Sequence, residues 1–308
     1  MIASLTGMTF KKMSTTDGFV VVDKAGAMTS HDVVAVGRRV LGTRKVGHAG
    51  TLDPMATGIL ILGFGHGTRL LQYITDGDKS YRATIALGAD TVTDDVEGEV
   101  ISKASAADLL KVSDEDIKKV LSEMRGVISQ RPSSVSAVKV DGKRAHERVR
   151  AGEVFELASR EVTISQLDVT EIRRSEKAIQ IDVEVTCSAG TFIRAIARDL
   201  GNALNVGGHL TFLRRTRVAS FGEDVAAPFE DFKSGQFKAL GLVEVARRIF
   251  QVREIDAAES QELSFGRTIS ASDGAQIYAA ISESNELIAL LENRDNGAKP
   301  IAVFAPAN

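Results

Sequence analysis

Between Ile179 and Cys187 the apolar residues fall on every second position, Ile179, Ile181, Val183, Val185 and Cys187, with Gln180, Asp182, Glu184 and Thr186 between them. A period of two places those five side chains on one face of a strand, which therefore needs a core on one side and tolerates water on the other. Half-buried strands of this kind belong to antiparallel or mixed sheets, because strands covered on both faces read as unbroken apolar runs. Phe19 to Val22, Ile59 to Leu62 and Tyr81 to Leu87 read as further strands, and Asp141-Gly142 marks a hairpin after Val135 to Val140. Helices are fewer. One is capped by Ser30, runs to Leu41 and stops at Gly42, and a short one lies around Leu70 to Ile74. A Ser113/Asp116 capping box opens a helix over 114–124, and Thr191 to Leu200 has helical spacing. Without a regular β-α-β rhythm, the expected class is α+β with a mixed, mainly antiparallel central sheet.

A chain of 308 residues, 44% hydrophobic and 26% charged, can bury one large core or two unequal ones, which excludes a disordered or collagen-like protein. Residues 1–17 are polar and aperiodic, and read as a disordered leader; 18–250 form the main domain. After Phe221 acidic groups dominate. Phe229 to Phe250 reads as a connecting helix, Asp256 with Glu259 opens another, and apolar runs at Ile277 to Ile281, Leu287 to Leu291 and Ile301 to Phe304 give a small β-rich C-terminal domain over 251–308. The single Cys187 excludes an internal disulfide, and the five histidines lack metal-ligand spacing, so a cytoplasmic, metal-independent protein is expected. No apolar run reaches the roughly 18 residues of a membrane span.

The net charge of −3 hides a geography. Residues 124–217 carry 16 basic and 11 acidic groups, and the sharpest part, 124–150, holds Arg125, Arg131, Lys139, Lys143, Arg144, Arg148 and Arg150 against Asp141 and Glu147. A basic face on an acidic protein suits a polyanion, although a solvated mixed-charge surface is the commoner reading of such a cluster. Two glycine patterns imitate phosphate loops. Gly37-x-x-x-x-Gly42 lacks the Lys-Ser/Thr pair, and Gly63-x-Gly65-x-Gly67 has Thr68 in place of the third glycine, so turn geometry explains the latter. Asp53 differs from both. It precedes Pro54 in a loop with glycines at 47, 50 and 58, which either makes an Asp-Pro turn or holds a carboxylate on a shaped loop for chemistry.

Gly47-His48-Ala-Gly-Thr-Leu-Asp53-Pro-Met-Ala-Thr-Gly58 resembles the catalytic motif of the TruB family, the tRNA pseudouridine-55 synthases. Further motifs resemble the family in order: Gly18-Phe-Val-Val-Val-Asp23-Lys24, Asp78-Lys79-Ser-Tyr81, Ser133-Ser-Val-Ser136-Ala-Val-Lys139-Val, Gly190-Thr-Phe-Ile-Arg194 through Gly201, and Gly208-His-Leu-Thr-Phe-Leu213-Arg214-Arg215-Thr. The likeness spans about 18–221. Ala25 stands where proline is common, His146 where tyrosine is usual, and Thr91-Val-Thr-Asp94-Asp95 varies the family's Thr-Asp-Thr-x-x-Asp pattern. The tail resembles the PUA-like RNA-binding domain of the actinobacterial form.

The resemblance implies a pseudouridine synthase fold that isomerises a uridine of the tRNA TΨC arm without metal or cofactor, acting as a monomer. It implies Asp53 as the catalytic carboxylate, attacking C1′, attacking the base, or abstracting the C2′ proton, with Arg194 holding it bidentately. It further implies Tyr81 stacking on the uracil, Ile193 and Leu213 as pocket walls, and His48 taking the place of the flipped base. Lys79, Asp95, Lys139 and Arg144 would serve substrate binding, the last two in an RNA-binding insertion over about 124–152.

Overall fold

The computed structural model describes residues 16–133, 139–140, 143–144 and 157–307. Residues 1–15 of the proposed leader and most of the basic insertion lie outside them. The described chain divides into two compact units, one holding the residues up to Leu52, Ile59–Thr75 and those from Ala219 onward, the other Asp53–Gly58 and Asp76–Val218.

The second unit is organised around the strand whose alternation stood out. Ile179–Cys187 pairs antiparallel with Arg160–Arg174 on one side and with Lys79–Leu87 on the other. Gly126–Gln130 extends the sheet beyond Arg160–Arg174, and Gly208–Val218 extends it beyond Lys79–Leu87, both antiparallel. Thr57 and Gly58 then run parallel to Arg214 and Arg215. The sheet is mixed and mainly antiparallel, as the sequence predicts. Ile179, Ile181, Val183, Val185 and Cys187 are buried while Gln180 and Glu184 stay in water. Helix Ile193–Ala203 packs on this sheet and buries Ala195, Ile196, Ala197 and Leu200. At about 1.5–3 kcal/mol for each large aliphatic side chain, that face anchors the helix.

In the first unit Gly18–Lys24 neighbours the part of strand Thr57–Phe64 from Ile59 onward and runs parallel to Ala227–Pro228. Val20, Val22, Leu60 and Leu62 pack there with Val33 of helix Ser30–Val40 and Phe232 of helix Phe229–Lys233. A separate four-stranded sheet follows in the order Val252–Ile255, Ile277–Ser282, Leu287–Arg294, Gly297–Val303, the first pair parallel and the others antiparallel. Asp256 caps helix Ala257–Ser264, and Leu263, Tyr278, Ile288 and Leu291 form a core of their own.

Four local expectations need correction. The first helix is capped by Thr29, not Ser30, because starting one residue earlier places Asp32 at the third helical position, where it closes a capping box with Thr29. Gly47 and His48 lie on strand Val46–Ala49, paired antiparallel with Gly63 and Leu62, not in the loop. The connecting helix 229–250 is two helices, Phe229–Lys233 and Leu242–Ile249, since Gly235 takes φ +85 after the first, a conformation that leaves the helix at little cost only for glycine. Asp17, assigned to the leader, accepts a hydrogen bond from the His66 amide. By contrast, the Ser113/Asp116 capping box opens Asp114–Glu123 as expected, and Gly65 and Gly67 belong to a 3-10 turn over Gly65–Leu70. Two-residue strands pair Lys139 with Arg144 and Val140 with Lys143, while Asp141-Gly142 and residues 135–138 of the expected hairpin lie outside the described residues.

Candidate active site

Asp53 begins a tight turn in which the Ala56 amide donates to the Asp53 carbonyl at 3.1 Å, with Pro54 between them. The Asp-Pro turn and the shaped loop are thus the same object: the turn consumes the backbone of Asp53 and leaves its carboxylate to point elsewhere. The residue before it is held separately. The buried Ser30 hydroxyl accepts from the Leu52 amide at 2.9 Å and donates to the Leu52 carbonyl at 3.3 Å. Because Thr29 supplies the helix cap, Ser30 is free for this work, a role that the sequence reading missed by giving it the cap.

The Asp53 carboxylate meets Arg194 on the first turn of Ile193–Ala203. Arg194 Nε lies 2.9 Å from Oδ2 as an ion pair, and Nη2 donates to Oδ1 at 3.2 Å. The third guanidinium nitrogen turns the other way, with Nη1 donating to the Thr93 carbonyl at 2.7 Å and lying 3.4 Å from Asp95 Oδ2. Arg194 is 4% exposed and Asp95 3%, so both charges have left water and depend on each other. Asp95 is held in turn by the Thr93 hydroxyl and the Glu97 amide. Its neighbour Asp94, at φ +59, faces Arg198 at 3.3 Å; burial pushes its carboxyl up, and the Ser133 hydroxyl opposes that shift.

Tyr81 and Leu213 approach from the sheet. In the antiparallel register Tyr81 stands opposite Arg215, and Ala83 opposite Leu213. Arg215, 1% exposed, hydrogen-bonds the Tyr81 hydroxyl, and Asp53 is near enough to act on both groups electrostatically. Burial pushes the Tyr81 phenol up while Arg215 pulls it back. Lys79 sits at the start of the same strand, donates to the Gly77 carbonyl, and is pushed down to about 8 by burial and then by Arg215. Ile193 is buried beside Arg194. The structure therefore brings together Asp53, Arg194, Asp95, Tyr81 and Arg215, and places Leu213, Ile193 and Lys79 in the same unit. His48 belongs to the other unit, where its ring meets His31 edge to face at 5.5 Å. Lys139 and Arg144 are described by backbone alone.

Arg215 was not singled out from sequence, although its spacing of two from Leu213 puts it on the same inward face, and a charge on such a face is itself a signal. Its backbone also fixes the aspartate loop. Gly58 has φ +101, and a Cβ there would stand 2.1 Å from the Arg215 carbonyl oxygen. Gly58→Ala is therefore expected to lower stability by at least about 2 kcal/mol, combining steric overlap with a strained φ. Urea unfolding measures it, and a loss below 0.5 kcal/mol (about the noise of a surface substitution) would show that the loop and strand separate freely.

Among the described residues there is no group of three or more His, Cys, Asp or Glu able to hold a metal, and no helix is long and apolar enough to cross a membrane.

Two solved structures share the fold. A Cbf5-Nop10-Gar1 complex matches with a TM-score of 0.71 at 24% identity over 94% of this chain and 85% of that one. An H/ACA RNP bound to a substrate RNA containing 2′-deoxyuridine matches with a TM-score of 0.70 at 22% identity, with the same coverage. The architecture is that of a Cbf5/TruB-type pseudouridine synthase with a separate small C-terminal sheet. Family models then cover nearly all of the chain: TruB family pseudouridylate synthase (N terminal domain) at residues 38–193, tRNA pseudouridylate synthase B C-terminal domain at 194–244, and tRNA Pseudouridine synthase II, C terminal, at 250–305. Proteins named tRNA pseudouridine synthase B from Arthrobacter sp. (strain FB24) and Mycobacteroides abscessus are each 49% identical over 94% of this chain and 97% of their own length. The chain belongs to the TruB family, and it is a pseudouridine synthase.

Proposed function

We propose that this enzyme converts the uridine at position 55 in the tRNA TΨC arm to pseudouridine, with Asp53 as the reacting carboxylate. Isomerisation of tRNA uridine follows from the family; the position and the residue roles are our reading. The observation that carries it is the Asp53–Arg194 pair. The reaction breaks the bond from uracil N1 to C1′ and forms one from C5 to C1′, so C5 loses a proton and N1 gains one. Nothing else is consumed, and the balance calls for no cofactor. The step needs a carboxylate fixed against the sugar and base, and a guanidinium occupying both Asp53 oxygens fixes it. Tyr81, held by Arg215, would stack on the uracil, with Leu213 and Ile193 as walls. Lys79 and Asp95 support substrate binding from the same unit.

A uridine inside a folded T-loop has to leave its stack first, at a cost of a few kcal/mol. His48 would offset it by stacking in the vacated place, worth roughly 1 to 3 kcal/mol. Lys139 and Arg144 in the insertion over 124–152 would take phosphates. Residues 251–308 would add an RNA-binding module whose share of phosphate contacts is small, since they carry 4 basic and 9 acidic groups and Arg253, Arg267 and Arg294 pair with Glu259, Glu262 and Glu292. We infer a monomer working in the cytoplasm.

Tritium release from a tRNA transcript labelled at uridine C5 tests the reading directly. About one equivalent of tritium per tRNA should appear in water, and replacing uridine 55 by cytidine should abolish it. Release that survives the replacement would move the site elsewhere in the RNA, and release from neither transcript would leave a protein that binds without turnover.

A further inference from the structure

The helix that carries Arg194 begins without a capping side chain. Phe192, just before its first turn, is extended at φ −100 and ψ 110 and makes no side-chain cap hydrogen bond. What fixes the start comes from 62 residues back in the chain. Gln130, the last residue of Gly126–Gln130, is 1% exposed; its Nε2 donates to the Phe192 carbonyl at 3.0 Å and its Oε1 accepts from the Phe192 amide at 2.8 Å. Arg160 stands opposite Gln130 in the sheet register. It donates Nη2 to the Gly190 carbonyl and lies over the Phe192 ring, 4.6 Å from its centroid. Three residues along, the Ser188 amide donates to the Thr163 carbonyl at 2.8 Å and the Ser188 hydroxyl accepts from the Thr163 amide at 2.9 Å.

A carboxamide carries a donor and an acceptor side by side, spaced like a peptide group, so it can pair with both halves of one backbone residue as a neighbouring strand would. A buried amide must find partners, and Gln130 places both on the residue two before Arg194. The contacts of Arg194 with Asp53, at 2.9 and 3.2 Å, leave little slack. A displacement of 1 Å at a reacting group costs about a hundredfold in rate.

We propose that Gln130 and Arg160 are positioning residues for the reaction: by gripping Phe192 and Gly190 they set the start of the helix so that Arg194 holds Asp53 in its reacting geometry. This rests on Asp53 and Arg194 being the reacting pair. Neither Gln130 nor Arg160 has to touch the uridine.

The experiment measures single-turnover tritium release at saturating tRNA, tRNA affinity and the unfolding midpoint for Gln130→Ala, Gln130→Glu and Arg160→Ala. Each variant is also made in an Arg194→Ala background, and Asp53→Asn is run alongside. Gln130→Ala should slow turnover about 30- to 100-fold with affinity within about threefold. Gln130→Glu, equal in size but unable to donate to the Phe192 carbonyl, should be equally slow. Arg160→Ala, reaching in from the surface, should lose about tenfold, and it carries the test if Gln130→Ala does not fold. In the Arg194→Ala background each change should add less than about twofold, because the alignment that it supports is already gone. The same loss in both backgrounds, or normal turnover in both Gln130→Ala and Arg160→Ala, overturns the proposal. Activity retained by Asp53→Asn would overturn the underlying reading instead, whereas an inactive Asp53→Asn beside normal Gln130→Ala and Arg160→Ala would sink this inference alone.

Discussion

Asp53→Asn is expected to reduce tritium release at saturating tRNA by at least about a thousandfold while leaving tRNA affinity within about tenfold. The substitution keeps the size of the side chain and the Asp53 turn, whose hydrogen bond is made by the backbone carbonyl. Arg194 does not become an orphan charge, since Thr93 and Asp95 still meet Nη1. What is lost is the negative charge and one of the two oxygens, and with them every role open to the carboxylate: attack at C1′, attack on the base, or abstraction of the C2′ proton. Affinity changes little because one charge is small beside many phosphate contacts. Single-turnover release and filter binding on the same preparation decide the matter, and turnover near the wild-type rate would remove Asp53 from the mechanism.

The elements that the sequence revealed are those whose signal is local. The alternation over 179–187 required one dry face and one wet face, and the sheet has both. The Ser113/Asp116 box is a contact between residues three apart, so it needs no tertiary knowledge. The Asp53 loop stood out because Pro54 and the flanking glycines constrain backbone directly. Its partner could not be found in that way: Arg194 is 141 residues downstream, and in isolation it reads as an arginine early in an amphipathic helix. Only the resemblance joined the two. Arg215 and Gln130 were missed for a related reason. Each is a polar side chain on a strand, and their meaning lies in being almost wholly buried, which depends on which face the completed sheet covers. The cap moved from Ser30 to Thr29 because two adjacent hydroxyls compete for one position, and the Leu52 backbone, 22 residues on, takes the second.

Arg194→Ala is expected to cut turnover a hundredfold or more, and Arg194→Lys is expected to recover no more than about threefold of that loss. The guanidinium uses three nitrogens in three directions: Nε and Nη2 on the two Asp53 oxygens, and Nη1 on the Thr93 carbonyl beside Asp95. A lysine ammonium is a single point on a flexible stem, so it can reach Asp53 or the Thr93–Asp95 side but cannot span them in a fixed plane. Removing the charge altogether leaves Asp95 buried opposite nothing of opposite sign from residue 194, and breaking such a pair costs about 3–5 kcal/mol of stability. Lysine should restore much of that stability by returning a cation to the pocket, and here the two readouts part company. If Arg194 served only to neutralise buried carboxylates, stability and turnover would return together in the lysine variant. If it aims Asp53, the unfolding midpoint should rise towards wild type while single-turnover release stays near the alanine level. A lysine variant that turns over at the wild-type rate would show that charge alone suffices and that the planar fork has no part in the reaction.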